Sequence, residues 1–238
     1  MLNKIIDKTI SFVSAHWHIV FVLCLCALVV SIFVAVRQFG GKKKPSSAGR
    51  SRSSSTRQNT AASCLKRLPQ DIYHVFQELY VPRLDGNGVT RITYVVAARH
   101  GIFVVHPQRD LGRISGNPTD RVWTAFDGGR ESTFSNPVIR NAYHARALAR
   151  HLGLPEALIC PVVYFDQEVN FDQKPPANVL TSGLHNFILS HKAELLTEEM
   201  LTKLLAKLRE TARDEKARLE YDTYRRSKGR RVRRTKES

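Results

Sequence analysis

Between Ile72 and Phe165 short apolar runs alternate with turn-forming residues. Ile72 to Val81, "IYHVFQELYV", and Ile92 to Ala98, "ITYVVAA", are β-branched and aromatic runs that predict strands, and "RLDGNG" between them is turn chemistry. "GIFVV", Gly101 to Val105, predicts a third strand after Arg99-His100, and three strands on short connections predict an antiparallel meander. "GRISG" and "RVWTAF" predict two further short strands, with "FDGGRE" as a turn. "SNPVIRNAYHARALARHLG", Ser135 to Gly153, predicts a helix with Asn136 as N-cap, Pro137 at the first helical position and Gly153 as its stop. "ALICPVVYF", Ala157 to Phe165, predicts a buried strand, and strand–helix–strand order implies a crossover.

Outside that region the pattern changes twice. Ile19 to Val36 is 18 residues without a charge, and the uncharged stretch reaches back to Thr9. Roughly 20 helical residues span a bilayer core of about 30 Å, so residues 1–36 predict a flank and a transmembrane helix, with Trp17 at one interface. Toward the C-terminus, Thr197 reads as an N-cap before Glu198 and Glu199. Met200, Leu201, Leu204, Leu205 and Leu208 then form one apolar stripe, which predicts docking on the domain or on a partner helix. Beyond Arg209 the segment is charged all round and is expected to project into solvent.

The 238 residues carry a formal charge of +16, and its placement matters more than its size. Arg37 to Arg67 holds nine Lys/Arg and no acid; Tyr224 to Ser238 holds eight Lys/Arg and one Glu; together these account for the whole excess. The middle is thus a near-neutral domain between basic arms. Lys42, Lys43 and Lys44 follow the apolar segment, whereas Asp7 offsets Lys4 and Lys8 before it. The positive-inside rule then places the C-terminal part in the cytoplasm of a single-pass protein of the inner or plasma membrane. "GGKKKPSSAGRSRSSSTRQNT" lacks periodicity, and 37–64 is expected to be a flexible basic linker. Lys42, Lys43 and Lys44, with Arg230, Arg231, Arg233 and Arg234 at the other end, are candidate contacts for nucleic acid or anionic lipid. A protein partner is a further alternative, and the oligomeric state stays open.

Four cysteines, Cys24, Cys26, Cys64 and Cys160, show no metal spacing and no disulfide framework. Ser182-Gly183-Leu184-His185 lacks a nucleophile-elbow context, and the "DGNG" and "DGG" turns are not phosphate-cradling loops. His100, His106 and Asp110 cluster in sequence, but five strand residues at about 3.3 Å each separate the two histidines too far to share an ion.

The order "RITYVVAARHGIFVVHPQRDLGRISG", then the Trp of "RVWTAF", then "FSNPVIRNAYHARAL" resembles the nuclease-related domain (NERD) family, a branch of the PD-(D/E)xK nuclease-like fold, over residues 65–190. The resemblance implies an α/β fold that is restriction-endonuclease-like. Its mixed central sheet, an antiparallel meander plus a crossover strand, would be flanked by helices, with the N-terminal transmembrane helix and a long C-terminal helix (191–225) added and a disordered basic tail at 226–238. It also implies a strand Asp at position 93, a Glu at 106, a Lys at 108 and a helix Gln at 140. This chain has Thr93, His106, Gln108 and Arg140, while Asn136, Pro137, Asn141 and His144 match. The family's first helix carries a Glu; Lys42 to Gln77 has none.

Hard divalent cations are held by carboxylate oxygens, and a hydroxyl, an imidazole and an amide are a poor substitute. Thr93, His106 and Gln108 therefore read as vestigial catalytic positions. Arg140, Asn141 and His144 read as binding residues, with no metal and no cofactor. The expectation is a module that binds nucleic acid or protein rather than an enzyme. The alternative is an active metal-dependent nuclease, using Mg or Mn, with His106 in place of the usual carboxylate.

Overall fold

The computed structural model describes residues 60–110 and 112–234. The predicted membrane segment and most of the predicted linker, including Lys42, Lys43 and Lys44, lie outside them. Among the described residues no helix is long and apolar enough to cross a membrane.

In chain order the elements are α1 (Ala61–Lys66), β1 (His74–Pro82), β2 (Val89–Ala98), β3 (Gly101–Gln108), β4 (Gly112–Ser115), β5 (Val122–Asp127), β6 (Arg130–Ser135), α2 (Pro137–Leu152), a 3-10 turn (Glu156–Leu158), β7 (Ile159–Phe165), β8 (Val169–Phe171), β9 (Val179–Leu180), α3 (Leu184–Ser190), α4 (Glu198–Ala212) and α5 (Glu215–Arg234). Five strands form the main sheet in the order β1-β2-β3-β7-β9. The first three are the antiparallel meander, and β3–β7 and β7–β9 are parallel. The hairpin turn between β1 and β2 is an Asx turn: the Asp85 carboxylate accepts from Asn87 N at 3.1 Å, and Gly86 and Gly88 supply positive φ.

Helices cover both faces of this sheet, so its central strands are apolar throughout rather than alternating. On one face Val95, Ala97, Ile102 and Val104 pack against Ala145, Leu148 and Leu152 of α2 and Leu201, Leu204, Leu205 and Leu208 of α4. On the other, Val96, Phe103, Val105 and Tyr164 pack against Cys64 and Leu65 of α1 and Leu184 and Ile188 of α3. The apolar stripe of α4 thus docks on the domain itself; Met200 alone of its five residues is exposed.

Several expectations are corrected. Beside the expected mixed central sheet stands a second one not foreseen, β6-β5-β4-β8, built around Ile114, Trp123, Phe165 and Val169. Its strand β6 is almost wholly exposed, so its sequence lacks the apolar alternation that marks a strand. The predicted linker ends sooner, because Thr60 caps α1 by accepting from Ser63 N and Ala61, Cys64 and Leu65 are buried. The predicted long helix at 191–225 is two helices: residues 191–197 are not helical, and Arg213 and Asp214 break the run. Asp214 caps the second helix by accepting from Ala217 N at 3.0 Å. Beyond Arg209 the chain does not simply leave the surface, since Ala217 is buried and Tyr221 lies on Tyr80, ring centroids 5.4 Å apart. Nor does a disordered tail begin at residue 226, because α5 continues to Arg234.

Candidate functional site

The site lies where β2 parts from β3. Their ladder ends at the pair Tyr94–Val105, and from His106 to Gln108 β3 continues with β7 alone. Thr93 and His106 are the first residues beyond that last pair. Asn141 and His144 of α2 lie over β3 and β7 at this point.

Two asparagines fix α2 there. Asn136 accepts from Val138 N (2.8 Å) and Ile139 N (3.4 Å), capping the helix. Its amide nitrogen donates to the carbonyls of Pro118 (2.9 Å) and Asp120 (2.6 Å), tying the loop before β5 to the helix start. One turn on, the Asn141 amide nitrogen donates to Val104 O (2.8 Å) on β3 and Val162 O (3.0 Å) on β7. Asn141 is 1% exposed, and its carbonyl oxygen has no hydrogen-bond partner.

Asn141 brings His144 over β3. The rings of His106 and His144 meet edge to face, centroids 6.0 Å apart at 65°. Burial is the main cause that lowers His106 from 6.5 to about 4; Arg140 and Arg91 add to it, and a hydrogen bond with Gln108 opposes them. Burial likewise lowers His144 to about 3, with His106, Arg140 and Arg91 pushing the same way. Both imidazoles are therefore neutral at neutral pH.

The nearby carboxylates are already engaged. Glu78 pairs with Arg91 at 3.1 Å. Asp110 accepts from the Gln108 amide. Asp166 accepts from Ala61 N at 2.8 Å, holding α1 to the end of β7 while its own N–H donates to Gln108 O. Among the described residues no group of three or more His, Cys, Asp or Glu could hold a metal ion. The donors at these positions, one hydroxyl, one amide and two imidazoles, do not fit a hard divalent cation.

Residues 53–166 match the model of the family described as nuclease-related domain. This part of the chain belongs to the NERD family. No curated protein and no solved structure matches the chain. The NERD match begins before the predicted boundary at residue 65 and ends at Asp166, just past β7.

His106 and Gln108 of β3 meet Arg140, Asn141 and His144 of α2 here, and Thr93 of β2 lies one position beyond the last β2–β3 pair. Arg230, Arg231, Arg233 and Arg234 instead occupy the last turns of α5. His100 stacks beside Tyr73, centroids 6.0 Å apart, and takes no part. Sequence reasoning missed Arg91 and Glu78. The only signal for Arg91 was a charge inside an apolar strand, two residues before Thr93.

Proposed function

We propose that this NERD domain is a nuclease scaffold that binds nucleic acid through its phosphates without cutting it. A single-pass helix at 19–36 would hold it at the cytoplasmic face of a membrane. The observation that carries the reading is the neutral pair His106–His144 beside the exposed guanidinium of Arg140, where the family's metal-binding carboxylate and lysine would stand. Arginine offers a planar fork of donors that suits phosphate oxygens, and neutral imidazoles donate or accept without repelling an anion. Thr93 and Gln108 add neutral donors. Nothing in that set polarises a phosphorus centre or generates a hydroxide. The basic arms, from Lys42-Lys43-Lys44 and from Arg230 to Arg234, would add affinity without sequence preference.

One observation favours a second reading. Neutral imidazole is the form that ligates Zn or Mn, so His106 could serve an active site of unusual composition.

Binding of fluorescent single- and double-stranded DNA and RNA to the full chain tests the first reading. Affinity should fall steeply as salt rises, and Arg140→Glu should weaken it and reduce the salt slope by about one phosphate. Absence of binding at low salt, or an unchanged slope in Arg140→Glu, would overturn it.

A further inference from the structure

Glu78 is the one non-glycine residue with positive φ (+54°) among the described residues, and it sits within β1, where the chain is otherwise extended. A side-chain-bearing residue in this region costs about 1–3 kcal/mol, so its surroundings must hold it there. What it gains is Arg91: the Glu78 carboxylate accepts from that guanidinium at 3.1 Å. The same guanidinium lies 5.9 Å from the centre of the Tyr221 ring on α5, and Tyr221 in turn rests on Tyr80. Arg91 is thus held from two sides, by β1 and by the C-terminal helix. Its charge still reaches His106 and His144.

Between residues 215 and 227 of α5 only Ala217 is buried; Tyr221 lies on Tyr80 and Glu220 reaches toward Gly88. Cavities of about 700 and 360 Å³ flank its junction with α4, lined by residues that include His151, Thr211, Arg213 and Asp214 on one side and Gln77, Tyr80 and Arg218 on the other. The residues of α5 lie outside the three main core clusters, and a break in the helix at Arg213-Asp214 separates it from α4.

Resting on the phosphate-binding reading above, we propose that Arg91 is a second phosphate-binding arginine held in reserve. Glu78 and Tyr221 keep it from the His106–His144 pair, and departure of α5 releases it to the bound anion. Because linkage is reciprocal, nucleic acid at that pair also loosens α5. Seven Lys/Arg and no acid between Tyr224 and Arg234 make the outer half of α5 the part that a polyanion would draw away.

The test is a mutant cycle on the full chain, read as affinity for a fluorescent single-stranded oligonucleotide. Glu78→Gln and Tyr221→Ala should each tighten binding by roughly fivefold or more. The two gains should not add, since both act through one guanidinium. Arg91→Gln should abolish them. Glu131→Gln, an exposed change of equal charge on β6, should leave affinity where it was. The latch is overturned if Glu78→Gln and Tyr221→Ala leave affinity unchanged, or if their gains persist with Arg91→Gln. Wild-type binding that Arg140→Glu weakens would keep the phosphate-binding reading standing in either case. Absence of binding in every variant would remove both.

Discussion

The imidazoles of His106 and His144 lie edge to face with centroids 6.0 Å apart, at the point where β2 leaves β3. One comes from a strand and the other from the helix that crosses it, so the pair exists only in the folded chain. Burial keeps both neutral, and that makes the pair acid-sensitive.

The sign of this sensitivity is set by the lowered values. In the unfolded chain both histidines take a proton near pH 6.5, whereas the folded chain resists until about pH 4 and about pH 3. Below pH 6.5 the unfolded state binds more protons, and stability falls by up to about 1.4 kcal/mol per pH unit for each histidine. Urea unfolding between pH 7 and about pH 4 should show this loss. His106→Gln and His144→Gln should each flatten it. Asp85 and Asp172, held below the usual carboxylate value by Arg83 and Arg113, lose their contribution only once the pH falls below that usual value.

Asn136 does two jobs with one side chain, and substitutions separate them. Asn136→Ala removes the helix cap and the tie to Pro118 and Asp120, at about 1–3 kcal/mol by chemical denaturation. Asn136→Asp keeps a capping oxygen but replaces the donor with a second acceptor facing those carbonyls. It should therefore remain clearly destabilised. Full stability in Asn136→Asp would show that the tie is unimportant.

Gly116 faces Trp123 so closely that an added Cβ would lie 2.2 Å from the indole Cδ1. Trp123 is buried and donates to Asn117 O at 2.7 Å. Gly116→Ala should cost about 1–3 kcal/mol and change tryptophan fluorescence in the native state.

The departures from the family pattern can be reversed. The triple change Thr93→Asp, His106→Glu and Gln108→Lys should create a divalent-cation site. Mn²⁺ or Mg²⁺ should then raise the melting temperature of the variant and leave the wild type unmoved. A folded variant with no response to either ion would show that the site has lost the geometry as well as the residues.

The main sheet was legible in the sequence because its strands are short, apolar and bounded by turns, as "RLDGNG" bounds β1 and β2. The helix from Pro137 was legible at both ends, since Asn136, Pro137 and Gly153 each do what their chemistry favours. β6 was hidden by its exposure and β9 by its two-residue length. The break at Arg213-Asp214 was hidden because neither residue is a helix breaker; Asp214 marks it only by capping α5. Thr93, His106, Gln108 and the α2 residues were found through the family resemblance. Arg91, Glu78 and Tyr221 had no motif, and only the crossing of β1, β2 and α5 brings them together.

The most direct test of the central claim is phosphodiester cleavage by the full chain, in detergent or lipid, on single- and double-stranded DNA and RNA with Mg²⁺, Mn²⁺ or Zn²⁺. The same preparation carrying His106→Ala runs beside it. The account predicts salt-dependent binding with no metal-dependent cleavage in either protein. Cleavage by the wild type that His106→Ala abolishes would contradict it and make His106 a working ligand or base.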